Sequence, residues 1–370
     1  MIRIARPPEP EELTRERHRR LAKVFLKWRD KSTPRRWTSE EQSLFDKGYR
    51  KGSRSELAEA QHHKCAFCEK KLGVTDPVDH FRPRRGKQDV DGHDGYWWLT
   101  WTWENLLCIC HDCSSFKGSS FPLAPGSLRL QSEELPPGGE RPHFIDPTVQ
   151  TPRDHIRFEY VVKRERWEPV GQTPAGEFTI SELHLADRCL EQYTSHLAAV
   201  ESEDRELWEV RRDLERGEHS EAIARWNRVT RNLLSESQLF RSLMYDYLAH
   251  WRGQIRHTMN IDLPEVPPLA QPTSSPSPPM AHFKLPPLFA QYDLSEELQL
   301  KILALGKRAE PEALKEVLVD LTRLRDWSVT ELAQLLERTV RTVQTYATEL
   351  DASGRVRYER QTRLLRCAKP

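Results

Sequence analysis

Two Cys-x2-Cys pairs, Cys65/Cys68 and Cys110/Cys113, limit what this chain can fold into more than any other feature. Each pair can present two thiolates to one ion. Four thiolates at about 2.3 Å around a tetrahedral centre make a closed structural zinc site. The long stretch between the pairs is no obstacle, because the entropy of closing a loop grows only as the logarithm of its length. Zn2+ bound by Cys65, Cys68, Cys110 and Cys113 is therefore the expected structural cofactor. The plainer alternative is two reduced, buried pairs. A disulfide framework fits less well with a chain that reads as intracellular.

A zinc clip alone is a folding device, so the residues inside it decide the chemistry. His80 is the natural general base, since a neutral imidazole with an ordinary pKa of about 6.5 can take a proton from water near neutral pH. Asp79 alternates to the other side of a short strand, Val78 to Phe81, and offers a hard oxygen to a divalent cation. The amide of Asn105 can tie down the loop facing the base. Lys117, or an arginine among Arg82, Arg84 and Arg85, can neutralise a phosphate. A single Mg2+ or Mn2+ touching a scissile phosphate would complete a metal-dependent phosphodiesterase.

At these residues the sequence resembles the HNH endonucleases, the ββα-metal nucleases, in their zinc-knuckle form. More narrowly it is similar to the HNH subunit of the Septu and retron-linked phage-defence systems. The matching segments are Cys65-Ala66-Phe67-Cys68-Glu69, Asp79-His80-Phe81-Arg82-Pro83-Arg84, Tyr96 to Leu107, Cys110 to Gly118, and Phe121-Pro122-Leu123. The resemblance implies that His80 is the first His of the motif and Asn105 its central Asn. It also implies a nucleic-acid substrate and an ATPase partner subunit that licenses cleavage. Where the family usually carries Asn or His as a second ligand to the catalytic metal, this chain has Ser114, a weaker donor. His111 and Asp112 are the neighbouring substitutes.

Charged residues make up 31% of the 370, and the formal net charge is +1. No apolar run approaches the roughly 18 residues of a membrane span. The opening MIRIARPPEPEE is too charged for a secretory signal, so a cytoplasmic location is expected. Residues 1–61 read as an N-terminal basic helical segment. Leu21, Val24, Phe25 and Trp28 recur there at helical spacing within the basic stretch Arg15 to Arg36, which includes Arg15, Arg17, Arg19, Arg20, Lys23, Lys27, Arg29, Arg35 and Arg36. Residues 62–125 form the zinc-clipped core, in which the tryptophan-rich run Tyr96 to Trp103 supplies apolar volume.

Residues 126–261 read as a strand pair followed by a helical bundle. Ile156, Phe158 and Tyr160 alternate, Trp167 to Val170 make the return strand, and Ser235 is a fair N-cap for the last helix. Residues 262–289 are a proline-rich linker. In residues 290–370 a capping box at Ser328 to Glu331 and a cap at Thr339 open two helices ahead of a hairpin, the pattern of a winged helix-turn-helix. Arg341 and Gln344 on its third helix, and Arg355 and Arg357 on the wing, are placed to meet nucleic acid. The expected fold class is thus α+β: a zinc-clipped ββα-metal HNH core, a helical appendage and a C-terminal winged helix. The rival reading is a non-catalytic zinc-ribbon and winged-helix DNA-binding regulator.

Overall fold

The computed structural model describes residues 1, 3–28, 43–85, 95–131, 134–203, 206–269, 289, 292–306 and 309–368. Arg29, Arg35, Arg36 and most of the proline-rich stretch lie outside them. Contacts divide the chain into two units, Met1–Leu13 with Phe45–Met280, and Thr14–Leu44 with Ala281–Pro370. Helix α1 (Glu11–Trp28) belongs mostly to the second unit, and Leu21 and Val24 are buried on it as the spacing predicts. Among the described residues no helix is long and apolar enough to cross a membrane.

The first unit is built outward from the cysteine pairs. Helix α2 (Arg54–Ala60) delivers the first pair, and a two-stranded antiparallel sheet of β1 (Val78–His80) and β2 (Leu106–Cys108) leads to the second. Helix α3 (His111–Lys117) begins one residue after Cys110, whose sulfur accepts from the Cys113 amide and so caps the helix. Every residue from Tyr96 to Trp103 is buried. Three of its indole N–H groups find carbonyls: Trp98 donates to Glu134, Trp101 to Lys47 and Trp103 to Pro7, at 2.7 to 2.9 Å. The run is core, with these polar handles satisfied.

An antiparallel hairpin of β3 (Ile156–Val161) and β4 (Arg166–Gly171) follows, in the register Ile156 opposite Gly171. Its turn needs a left-handed residue, supplied by Glu165 at φ 49°. Helices α4 (Pro174–Glu182), α5 (Leu185–Arg188), α6 (Leu190–Glu203), α7 (Glu206–Glu215), α8 (His219–Leu233) and α9 (Arg241–Met259) complete the unit. Tyr193, Leu197, Val200, Leu207, Val210 and Leu214 are buried along α6 and α7. The hairpin is fixed to α9 by Asp246, which takes both terminal nitrogens of Arg153 at 2.7 and 3.0 Å and the Phe158 amide at 2.8 Å. Lys64 joins the first knuckle to the bundle by donating to the carbonyls of Glu236 and Gln238.

Three details differ from the sequence pattern. Helix α9 starts at Arg241 behind Phe240 in a left-handed conformation, while Ser235 lies in the preceding turn. The spacing of Ile223, Trp226 and Leu233 marks α8, where Trp226 and Leu233 are buried with Ala222 and Val229 but Ile223 is 39% exposed. The proline-rich stretch is not free from its start: Leu263 and Val266 are buried, and the Trp226 indole donates to the Pro264 carbonyl.

The second unit has α10 (Glu296–Ala304), α11 (Pro311–Leu324), β5 (Trp327–Ser328), α12 (Val329–Leu335), α13 (Val340–Ala352), β6 (Val356–Glu359) and β7 (Leu364–Cys367). The three strands pair in the order β5-β7-β6. The Ser328 hydroxyl takes the Glu331 amide while the Glu331 carboxylate takes the Ser328 amide, so α12 opens with a complete capping box. The core runs from Phe289 through Leu318, Leu321, Trp327, Leu332, Val343 and Leu350 to Leu365.

Candidate metal and phosphodiester site

The four expected ligand sulfurs come together. Cys65, Cys68, Cys110 and Cys113 are all buried, with their sulfur atoms within 4.8 Å of one another. Cys68 and Cys110 approach to 3.7 Å, close to the edge of about 3.8 Å that a tetrahedron with 2.3 Å zinc–sulfur bonds requires. The donor set therefore fits Zn2+. Local backbone supports it: the Cys110 amide points at the Cys65 sulfur at 3.3 Å, and the Ala66 amide donates to Cys108. Gln61 clamps the first knuckle to β2, because its amide bridges Lys64 O and Cys108 O while its carbonyl takes the Cys108 amide. Cys108 itself stays outside the cluster, with burial pushing its thiol up to about 11.

Four thiolates around Zn2+ carry a net charge of −2, and two cations answer it. Arg188, the last residue of α5, donates to the Cys113 sulfur at 3.1 Å and also faces Asp112 at 3.4 Å. Lys70 pairs with the same Asp112 carboxylate. Buried Cys189 adds a fifth sulfur beside Cys68. Neither Arg188 nor Cys189 carries a motif, and only the fold brings them to the knuckles.

The strand pair positions the remaining candidates. In β1 the burial alternates, so Val78 and His80 point inward and Asp79 lies half exposed between them. His80 stands opposite Leu106 in the ladder, and Asn105 sits just before that strand. The Asn105 side chain is 1% exposed and uses its whole amide on backbone: Oδ1 accepts from Arg82 N at 2.8 Å, and Nδ2 donates to Arg82 O and Leu99 O. Its position locks the loop after β1 to the loop before β2.

His80 is 5% exposed, with its ring edge-on to Tyr49 at 4.6 Å between centroids. Its Nε2 lies 2.9 Å from the Thr100 carbonyl. A carbonyl only accepts, so this contact places the proton on Nε2 and leaves the lone pair on Nδ1. Burial pulls the imidazole down to about 4, against the attraction of Asp79, so the ring is neutral at neutral pH.

Lys117, at the end of α3, is 1% exposed and inserts its ammonium between the Asp79 carboxylate at 3.0 Å and the His80 carbonyl at 2.7 Å. It is thus turned inward onto the strand, not outward to a phosphate. Ser114 lies three residues before it on the same face of α3 and is half buried. Asp112 is directed to Lys70 and Arg188, and His111 is mainly exposed.

The three arginines after His80 separate. Arg82 is buried, pairs with Glu140 at 2.7 Å and lies over the rings of Phe81 and Phe121. Glu140 is shared with the Tyr96 hydroxyl and the Leu130 amide, so Arg82 is part of the core. Arg84 and Arg85 both pair with Asp46, and Arg85 keeps nearly half of its side chain in solvent. In the second unit Arg341 is exposed, Gln344 is partly buried on the same helix, and Arg355 and Arg357 are exposed at the hairpin.

For a hard catalytic cation the candidate donors are sparser. Asp79 supplies one carboxylate, part of which faces Lys117, and Ser114 supplies a neutral hydroxyl. Mg2+ commonly binds through one or two carboxylates and leaves its other positions to water and substrate phosphate, so this set is compatible with it.

Against known proteins, the chain is 28% identical over 169 residues to a Septu protein PtuB of Bacillus mycoides (strain KBAB4), covering 43% of this chain and 55% of that one. It is 29% identical over 189 residues to a Septu protein PtuB of Bacillus thuringiensis, covering 50% and 54%. A third match, 29% identical over 129 residues, is to a Septu protein PtuA of Bacillus mycoides (strain KBAB4) and covers 33% of this chain and 17% of that protein. The chain spans about half the length of the two PtuB relatives. No family model and no solved structure matches it.

Proposed function

We propose that the chain is the nuclease of a Septu-type antiphage defence system, hydrolysing phosphodiester bonds of nucleic acid with one bound Mg2+ or Mn2+. The observation that carries the reading is the setting of His80. Its tautomer is fixed by Thr100, its Nδ1 keeps the lone pair and its charge state is neutral, beside a carboxylate, in a strand–strand–helix unit held by four cysteines. In the HNH reading Nδ1 takes the proton from the attacking water. Asn105 keeps the two loops around it in register. Asp79, with Ser114 as a weaker second donor, would hold the cation, which when bound supplies Lewis-acid stabilisation of charge growing on the phosphate and the leaving oxygen. Lys117 positions Asp79.

The similarity to two Septu PtuB proteins supports the defence role. An ATPase subunit is the partner implied by the motif resemblance; the stretch shared with a PtuA is common sequence and does not itself identify a binding partner. In the second unit the capped helices and three-stranded sheet support a winged helix-turn-helix, with α13 as the helix that would enter a DNA groove.

The test is incubation of the purified protein with plasmid and with tRNA, with and without Mg2+. Metal-dependent cutting is expected, falling by a factor of about 10^2 to 10^4 in His80→Ala with zinc content unchanged. Equal cutting by His80→Ala would remove the base from this role. One observation favours the non-catalytic regulator: the Lys117 ammonium already sits against Asp79, and Ser114 is a poor donor. Absence of any metal-dependent cutting, together with specific duplex binding, would select that reading.

A further inference from the structure

Residues 45–49 carry no motif, yet they are fastened to the zinc-clipped core at several points. Phe45 stacks on Trp101, with ring centroids 5.7 Å apart. The Trp101 indole donates to the Lys47 carbonyl at 2.9 Å. Asp46 takes Arg84 at 2.6 Å and Arg85 at 2.8 Å, and Arg84 also donates to the Phe45 carbonyl. The Ser53 hydroxyl donates to the Tyr49 carbonyl. What this anchoring delivers is the Tyr49 ring, 5% exposed, against the imidazole of His80: the centroids are 4.6 Å apart and the planes cross at 66°. The Arg84 guanidinium lies over the same Tyr49 ring at 5.5 Å.

A general base has to be held in one orientation, and the bond from His80 Nε2 to Thr100 does only part of that. It fixes one corner of the ring and leaves the plane free to tilt about that corner, and a single net hydrogen bond biases a population by only roughly tenfold. A tilt moves Nδ1, the atom that must meet the water, and a misplacement of about an ångström in a reacting group can cost on the order of a hundredfold in rate. Tyr49 fills space into which the plane would tilt, and it does so in the edge-on arrangement that aromatic pairs favour. The same segment also braces the other contact. Trp101, held by Phe45 and by the Lys47 carbonyl, directly follows Thr100, whose carbonyl receives the Nε2 proton. We propose that Tyr49 is a positioning residue for His80, fixing the plane of the imidazole so that Nδ1 is aimed for proton transfer. It acts through its ring and not through its hydroxyl. The inference rests on the nuclease reading, in which His80 is the base, and adds to it a residue that neither spacing nor composition singles out.

The experiment compares Tyr49→Phe, Tyr49→Leu and Tyr49→Met in the full zinc-loaded chain, with zinc content and Tm measured for each. Two quantities are read: kcat and KM for cleavage of plasmid and of tRNA in Mg2+, and the ring-nitrogen signals of His80 in histidine-labelled protein, identified by their loss in His80→Ala. Tyr49→Phe keeps the ring and should hold kcat within about threefold of the unaltered chain. Tyr49→Leu should lower kcat on the order of a hundredfold with KM within about twofold, because orientation at the reacting atom is lost while binding of the nucleic acid is not. Its His80 signals should move from a single tautomer protonated on Nε2 toward a mixture of both, since a ring free to tilt loses the Thr100 bond. Tyr49→Met fills the space with a flexible chain that protects the fold, and should behave as Tyr49→Leu does. An unchanged kcat in the folded Leu and Met variants, a fall in Tyr49→Phe as large as theirs, or a His80 spectrum unaltered in both would each overturn the proposal. If the unaltered chain cuts neither plasmid nor tRNA, the nuclease reading falls and the spectrum alone decides the contact: mixed tautomers in Tyr49→Leu support it, and an unaltered spectrum overturns it.

Discussion

Asn105 shows how a single amide can organise a site without touching substrate. It is 1% exposed, and its oxygen and both of its N–H directions go to backbone atoms of Arg82 and Leu99. Replacing it with Ala would orphan three buried backbone groups, at roughly 1–3 kcal/mol for each that water cannot reach. Asn105→Ala should therefore destabilise the protein by about 3 kcal/mol, read as a fall in the urea midpoint with an unchanged m-value. A shift within experimental error would show that the loops are held elsewhere. This residue was legible in the sequence because amide chemistry and motif spacing agree on it. Lys117 and Arg82 were less so: a lysine at a helix end and an arginine in a basic run read as solvent-facing. Here burial overrides that pattern, since Asp79 and the His80 carbonyl receive one and Glu140 the other.

At the scale of elements, the cysteine cluster joins two segments far apart in sequence, the turn after α2 and the start of α3, which Gln61 and the Lys70–Asp112 pair also hold together. Binding of a structural zinc is worth about 10–16 kcal/mol at neutral pH in small zinc-finger peptides, and the cost of losing it appears as unfolding. Prolonged chelation, or the double change Cys110→Ala/Cys113→Ala, should remove one zinc per chain and lower Tm; full zinc occupancy in the double variant would rule out the ligand assignment. Arg188→Met tests the charge balance separately. The Arg188 guanidinium donates to Cys113 from outside the ligand set, and loss of such a contact typically costs 10–100-fold in metal affinity. Competition with a chromogenic chelator would measure it, and an unchanged affinity would assign the charge balance to Lys70 alone. The ligands could be read from spacing because one tetrahedral ion fixes it. Arg188 could not, for it lies 75 residues beyond Cys113 and arrives only through the packing of the bundle. The start of α9 departs from the sequence pattern for a related reason: a serine is a good cap in isolation, but the chain reaches the helix through a left-handed Phe240 whose ring packs on Tyr193 and His196.

For the whole molecule, the division into two units has a consequence that can be measured on one of them. Among the described residues, one core cluster of the second unit runs from Phe289 to Leu365, and it includes buried Trp327, whose indole donates to the Leu321 carbonyl. Its helices also carry their own stops and starts: Ser295, Ser328 and Thr339 cap α10, α12 and α13, and each such cap is worth about 1 kcal/mol. A fragment of residues 289–370 should therefore fold cooperatively, with a single urea transition and dispersed amide signals. Broad, non-cooperative melting would show that Thr14–Leu44, assigned to the same unit, is needed to complete it. The folded fragment then decides what the exposed arginines do. If α13 and the hairpin grip duplex DNA, Arg341 and Arg357 each neutralise a phosphate, and the slope of log affinity against log salt should fall by about two in Arg341→Ala/Arg357→Ala. Binding that is absent at low salt, or indifferent to both changes, would make this unit a docking module for protein and leave nucleic acid to the unit that holds His80.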